Sequence, residues 1–514
     1  MNAIQLSIFS SRIESVCDEM GAILQRAAFS PNIKDRLDFS CAVFDVEGGL
    51  CAQAAHIPVH LGSMAYAMQD IVNLFDWQVG DMVALNDPYL GGTHLPDVTL
   101  ICPLFVEGRL LGFVANRAHH SDIGAEAPGS MPLSTSLSEE GLIIPPIKII
   151  RNRERTVEFT ELLEKLSHSV ESTGDFNAQI SANWRGVERL AAIVNEYGTG
   201  EYEQAICRLN EYGERLMTQL LKSIPNGQYC FSDVMDDDGL GTRDILIQLA
   251  LTVDDDKVMA DFAGTAPQVI GNINCPLSVV AAAVYYVFRC LMPDNTPACS
   301  GVFKRITIRA EKGSLINAIK PAAVAAGNVE TSTRMVDVVM GALAQAIPEK
   351  IPAASHGSMN NVAMGARNAD VNWSYYETIG GGMGAGISHD GLSAVQTHMT
   401  NTLNTPVESL EMHYPLRMNR YEIRRGSGGE GRHVGGNGLL REMEFLSPAQ
   451  VTLLTERRQH KPWGLQGGGD GDVGRNLLNG QPLPAKTSIK VVCGDRLTVI
   501  TPGGGGYGEK AADS

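Results

Sequence analysis

Five residues able to bind a metal, His94, Asp97, His119, His120 and Asp122, stand at the two ends of one stretch, residues 86–124, NDPYLGGTHLPDVTLICPLFVEGRLLGFVANRAHHSDIG. Imidazole nitrogen with carboxylate oxygen suits a borderline divalent ion such as zinc, manganese, iron or cobalt. No cysteine stands in either ligand cluster to close a structural zinc site. Three protein ligands would leave positions open to water or substrate. The competing reading, polar residues that merely line a loop mouth, is weakened because five candidates gather at two ends expected to meet.

Two strands must position them. Residues 98–106 and 110–115 are apolar and rich in β-favouring types, and Glu107-Gly108-Arg109 between them is hairpin chemistry. Closing the hairpin brings His94 and Asp97 beside His119, His120 and Asp122. Register decides which histidine shares a face with Asp97. A two-residue turn sets Asp97 opposite Ala118 with His120 on its side. A three-residue loop, with Val106 opposite Leu110, sets His119 across from Asp97. The pattern leaves both open.

The chain has 514 residues, 44% hydrophobic and 19% charged, with a formal charge of −17. Such length predicts several domains, drawn at 1–225 (metal-site hairpin with a helical buttress), 226–425 (a middle α+β domain) and 426–514 (a glycine-rich, β-rich region). The fold class is α+β, with mixed sheets and packed helices. The acidic balance argues against nucleic-acid or anionic-membrane partners, and the low charge content points to an obligate assembly. Ten scattered cysteines without C-x-x-C pairs fit a reduced, cytoplasmic enzyme. No apolar run is long enough to span a bilayer.

Along the chain, helical periodicity runs over residues 4–28 through Ile4, Ile8, Ile13, Val16, Met20, Ile23 and Leu24 and stops at Ser30-Pro31. His56 and His60 have tempting i, i+4 spacing, but Pro58 interrupts a helix there, so they are expected to line or support the pocket. Arg36 and Asp38 are read as a structural pair or as substrate-positioning groups. Residues 128–146 are expected as a surface loop or a lid, and 175–198 and 201–221 as helices. Glu330 and Arg334, at the start of a helix over 328–346, either meet substrate or form an i, i+4 ion pair. The glycine runs 380–386 and 502–508 lack the lysine and hydroxyl of a phosphate loop, and are read as turns and close backbone approaches. His389, His398 and His413 are expected in core or interface roles.

The segments SPNIKDRLDFSCAVFD, NDPYLGGTHLPDVTL, ANRAHHSDIG, GNVETSTR, MTNTLNTPVESLEMHYPLRMNRYEIRRGSGGEGRHVGGNG and PGGGGYG, in this order over nearly the whole chain, resemble the hydantoinase B and oxoprolinase family, which includes subunits of acetone and acetophenone carboxylases. The resemblance implies a metal site at His94, Asp97 and His119, and hence the three-residue register. It implies Asp122, with His120, as a neighbouring ligand or proton acceptor for metal-bound water. It further implies a hetero-oligomer with a hydantoinase A-like subunit that binds ATP and magnesium. The implied reaction is ATP-dependent opening of a hydantoin, 5-oxoproline or lactam ring. The alternatives are the metal subunit of an ATP-dependent ketone carboxylase and a non-catalytic scaffold.

Overall fold

The computed structural model describes residues 1–510 apart from 55, 56, 126, 167, 168 and 368–371. Helix α1 (Ala3–Ala27) opens on a reciprocal cap, with the Asn2 side chain accepting from Gln5 N and the Gln5 side chain accepting from Asn2 N. Its buried stripe is Phe9, Ile13, Val16, Cys17, Met20 and Leu24. Ile4 and Ile8, expected on that stripe, are out of phase with Phe9 and exposed. A short α2 (Pro31–Lys34) follows.

The first sheet contains β1 (Phe39–Phe44), β2 (Leu50–Gln53), β3 (Met82–Leu85), β4 (Asp97–Val106), β5 (Arg109–His119), β6 (Ile147–Arg151) and β7 (Glu154–Arg155), and α3 (Pro58–Val72) lies between β2 and β3 in the chain. Its order is β2-β1-β5-β4-β3-β6-β7, which makes the expected hairpin β4–β5 its centre. Nearly every position of β4 and β5 is buried because both faces are covered. Met64, Met68 and Ile71 of α3 pack with Phe44, Ile101 and Phe113 on one side. The other side joins the main core, which includes α1 residues and, after α4 (Val157–Glu164), Phe176 and Leu190 of α5 (Ser169–Tyr197). Helix α6 (Thr199–Lys222) adds Tyr202, Leu209 and Met217 to that core.

A second sheet, β11-β10-β9-β8, is built from β8 (Gly227–Asp237), β9 (Arg243–Asp254), β10 (Lys257–Asp261) and, after α7 (Leu277–Cys290), β11 (Ile306–Arg309). A π-helical turn, Gly327–Thr331, leads into α8 (Ser332–Leu343). The remainder comprises β12 (Asn361–Arg367), β13 (Asn372–Glu377), α9 (Val407–His413), β14 (Leu416–Arg424), β15 (Gly438–Phe445), β16 (Ala449–Leu454), β17 (Arg475–Leu478), β18 (Gln481–Leu483), β19 (Lys486–Val491) and β20 (Arg496–Ile500). These strands form two sheets, β13-β12-β16-β19 and β14-β15-β20-β17-β18. The architecture is therefore α+β with mixed sheets.

Sheet pairing does not divide where composition shifts. The expected break at 425/426 falls between β14 and β15, which pair with each other, and β12 pairs with β16 across it. One apolar core likewise runs from Phe9 to Leu454 through residue 225. The glycine runs stack backbone on backbone. A Cβ on Gly382 would sit 1.9 Å from Gly436 O, and one on Gly504 2.1 Å from Met383 O. Residues 128–146 are pinned rather than free: Leu137 N donates to Pro321 O at 2.9 Å, and Met131, Glu140 and Ile144 are fully buried. No described helix is long and apolar enough to cross a membrane.

Candidate metal centre

The hairpin reconciles the two registers. Its turn has two residues, Glu107 (φ 52°) and Gly108 (φ 79°), with Val106 opposite Arg109 and Phe105 opposite Leu110. The three-residue loop does not form. Leu104 then faces Gly112, so Leu111 is an extra residue, a bulge that shifts the ladder by one and sets Asp97 opposite His119. Gly112 permits it, since a Cβ there would lie 2.3 Å from Phe44 O of the neighbouring β1.

Three side chains converge as a result. The ligand atoms of His94, Asp97 and His119 all lie within 4.8 Å of one another, and all three residues are buried. Asp97 Oδ1 is 3.1 Å from His94 Nε2 and 3.2 Å from His119 Nδ1. Its Oδ2 accepts from Thr93 Oγ1 at 2.6 Å and Asn328 Nδ2 at 3.3 Å, and lies 3.1 Å from His60 Nε2. His94 Nδ1 is 3.2 Å from Ala325 O, an acceptor only, so that nitrogen carries the proton. In the neutral rings His94 and His119 each then present an Nε2 lone pair, and neither Nε2 has a hydrogen-bond partner among the described residues. Orphaned buried nitrogens beside a carboxylate are what a cation would satisfy, and the residues fit a divalent ion.

The electrostatics agree. Burial would raise the Asp97 carboxyl, but the facing His94 and His60 hold it well below the carboxylate range. Burial would lower His94, yet Asp97 outweighs it and the shift is upward. For His119 burial prevails and the shift is downward.

Pro58 does not break a helix; it begins one, at the first position of α3, where its missing N–H is no loss. His60 thereby sits in the first turn and supports Asp97, with Ser40 Oγ 3.4 Å from its other nitrogen. His56 lies outside the described residues. The Asp38 carboxylate is 3.9 Å from both His60 Nε2 and Arg36 Nη2, beyond hydrogen-bond range. Arg36 is buried and donates to Asn32 Oδ1, Tyr376 O and Thr378 Oγ1.

Neither His120 nor Asp122 joins this group. Side chains alternate along β5, so His120 faces the opposite side from His119, with Nε2 2.9 Å from Gln179 Oε1 of α5 and its ring against Phe176. Asp122 bonds Arg367 Nη2 at 2.7 Å and accepts from Gly124 N and Ser130 Oγ, which makes it a loop anchor. Of the later histidines, His389 and His413 are exposed and His398 is half-buried, near Tyr286. Glu330 and Arg334 form no pair with each other; Arg334 lies against Asp233 and Glu456. Two residues touching the group carry no sequence signal of their own: Asn328, inside GNVETSTR, and Tyr376, whose ring stacks on His119 at 4.8 Å and 11°.

Residues 2–510 match the family described as Hydantoinase B/oxoprolinase. The chain belongs to this family. Among its relatives, 5-oxoprolinase 1 of Arabidopsis thaliana is 39% identical over 545 residues, covering 99% of this chain and 42% of the plant protein. The present member of the hydantoinase B family thus spans less than half the length of that relative. A Pseudomonas sp. (strain NS671) protein, provisionally named as the B subunit of a D-/L-hydantoinase, is 32% identical, over 99% of this chain and 90% of its own length. The crystal structure of an ATP-dependent caprolactamase from Pseudomonas jessenii superposes with a TM-score of 0.92 at 27% identity, over 99% of this chain and 91% of the other.

Proposed function

We propose that this member of the hydantoinase B family is the metal-bearing subunit of an ATP-dependent hydrolase that opens a cyclic amide, a hydantoin, 5-oxoproline or a lactam, activated on a separate A-like subunit that binds ATP and magnesium. The observation that carries the reading is the buried His94–Asp97–His119 group, in a chain similar to 5-oxoprolinase and superposable on a caprolactamase. A relative named as one subunit of a hydantoinase, and the larger part of 5-oxoprolinase that this chain does not match, support a second polypeptide.

His94, Asp97 and His119 would hold zinc, manganese, iron or cobalt. Bound there, the ion supplies Lewis acidity, polarising an oxygen and acidifying water. Asp38 replaces His120 and Asp122 as the proton acceptor, because its carboxylate stays outside hydrogen-bond range of Arg36 and His60, whereas Asp122 is neutralised by Arg367. Water adds to the amide carbon whose oxygen the A-like subunit has phosphorylated from ATP, and its proton passes to Asp38. The ring C–N bond then breaks as Asp38 in its acid form returns the proton to the departing nitrogen. A second water hydrolyses the resulting acyl phosphate to the ring-opened carboxylic acid and inorganic phosphate. Tyr376, stacked on His119, and buried Arg36 wall the site from bulk water.

The test is turnover by the chain with its A-like partner, ATP and a panel of hydantoins, 5-oxoproline, lactams and ketones. Ring-opened acid formed only with both subunits and ATP is the expected result. Labelled bicarbonate appearing in the product would replace hydrolysis with carboxylation.

A further inference from the structure

One segment, residues 325–330, touches two members of the metal group and is linked to the third. The Ala325 carbonyl accepts from His94 Nδ1 at 3.2 Å. Asn328 Nδ2 donates to Asp97 Oδ2 at 3.3 Å. Glu330 reaches His119 through two intermediaries: its Oε1 accepts from Asn361 Nδ2 at 2.7 Å, Asn361 Oδ1 accepts from Tyr376 Oη at 2.6 Å, and the Tyr376 ring lies flat on His119. Asn328, Glu330, Asn361 and Tyr376 are all buried, so these contacts have no competition from solvent.

The segment is itself held rigidly. Glu140 Oε1 accepts from Val324 N and Ala325 N at 2.8 and 2.9 Å. Gly327 packs so tightly that a Cβ would lie 1.8 Å from Asn274 O. Residues Gly327–Thr331 form a π-turn, a form found mostly as single turns within α-helices and frequently at functional sites. The pairing of Glu330 with Arg334 would cross from this wider turn into α8. Glu330 instead serves Asn361 and Met359 N.

We propose that residues 325–330 are the positioning element of the metal centre, with Asn328 and Glu330 as positioning residues that orient Asp97 and His119 while the Ala325 carbonyl orients His94. This rests on the metal reading above. Hydrogen bonds from outer residues fix the tautomer and ring plane of ligating histidines, and losing one costs about 10- to 100-fold in metal affinity. Asn361 and Tyr376 transmit the effect of Glu330, so changes along that line act on affinity without removing a ligand.

The experiment equilibrates the full-length chain with Zn2+ or Mn2+ against a chromogenic chelator, with a metal-free thermal melt confirming that each variant folds. Asn328→Ala and Tyr376→Leu are each expected to weaken binding about 10- to 100-fold, and Glu330→Gln, which keeps both accepted hydrogen bonds, to stay within about threefold of wild type. Tyr376→Phe keeps the stacked ring and falls between wild type and Tyr376→Leu. A merely structural role would lower melting temperatures and leave affinity alone. If Asn328→Ala does not fold, the Tyr376 pair carries the comparison. Wild-type affinity in the folded variants, with His94→Ala still losing metal, would overturn the positioning role and leave the centre standing. A wild-type chain that takes up no more metal than His94→Ala would remove the centre and this role with it.

Discussion

His94 Nε2 faces Asp97 Oδ1 at 3.1 Å, and in the neutral ring both atoms are acceptors, because His94 Nδ1 commits its proton to Ala325 O. Something positive must lie between them: a second proton on His94 when metal is absent, or a metal ion. Asp97, against the opposing pull of burial, holds the His94 pKa above its ordinary value. Metal therefore competes with a proton. Affinity is weakened below that raised pKa and strengthens as pH rises through it. Zn2+ titrations at about pH 6 and about pH 8 in weak buffer should show tighter binding at the higher pH and more acid released at the lower. Binding independent of pH over that window would contradict this relationship.

Asp38 and Asp122 should separate cleanly. With metal content unchanged, Asp38→Asn is expected to lower turnover about 10²- to 10⁴-fold, the usual loss of a general base. Asp122→Asn removes the charge facing Arg367 and should lower stability by about 2 kcal/mol while turnover and metal persist. Kinetics, metal analysis and a denaturant melt on the two variants check this. The reverse pattern would return the proton-transfer role to Asp122.

Register should matter as much as ligand identity. Gly112→Ala drives a Cβ onto Phe44 O at the bulge that sets His119 opposite Asp97. The expected cost is about 1–3 kcal/mol of stability, with metal content falling although no ligand changes. Elemental analysis of the folded fraction reads the outcome; full metal content would show that the site tolerates a shifted ladder.

Burial, then the charge of Glu456, pushes the Glu330 carboxyl up to about 8, far above its ordinary value. In the folded chain Glu330 holds its proton to about pH 8, whereas in the unfolded chain it loses it near that ordinary value. Between those values the folded state binds more protons, so this group's contribution to stability is full below the lower value and declines as pH rises to the upper one. Glu330→Gln removes the dependence. Its melting temperature should gain on wild type progressively from about pH 5 to about pH 8, and a constant difference would show Glu330 to be ionised throughout.

The hairpin and its candidate ligand positions are legible in the sequence because they depend on local signals: apolar β-favouring runs, a turn and histidines at two strand ends; the choice of His119 over His120 rests on the family resemblance. The bulge at Leu111 is not legible there, since the close approach of Phe44 O that requires glycine at 112 comes from another strand. His120 shows the same limit, because adjacent histidines at a strand end offer both faces until the register is known. Pro58 has the pattern of a helix breaker, yet it opens α3, and only the position of the helix start tells the two apart. The glycine runs announce close backbone contacts by their composition, and the backbones do meet there. Asn328 and Tyr376, by contrast, reach the site only through packing between segments more than 200 residues apart in the chain, as with Asn328 and Asp97 at a separation of 231. The interleaving of β12–β20 across residue 425 is invisible to composition for the same reason.

The most direct test of the central claim is the metal content of the purified wild-type chain and of a folded His94→Ala variant, measured by elemental analysis after exhaustive removal of loosely held ions. Near-stoichiometric zinc, manganese, iron or cobalt in the wild type and its loss in His94→Ala is the expected result. Equal metal in both, or none in either, would contradict a centre built on His94, Asp97 and His119.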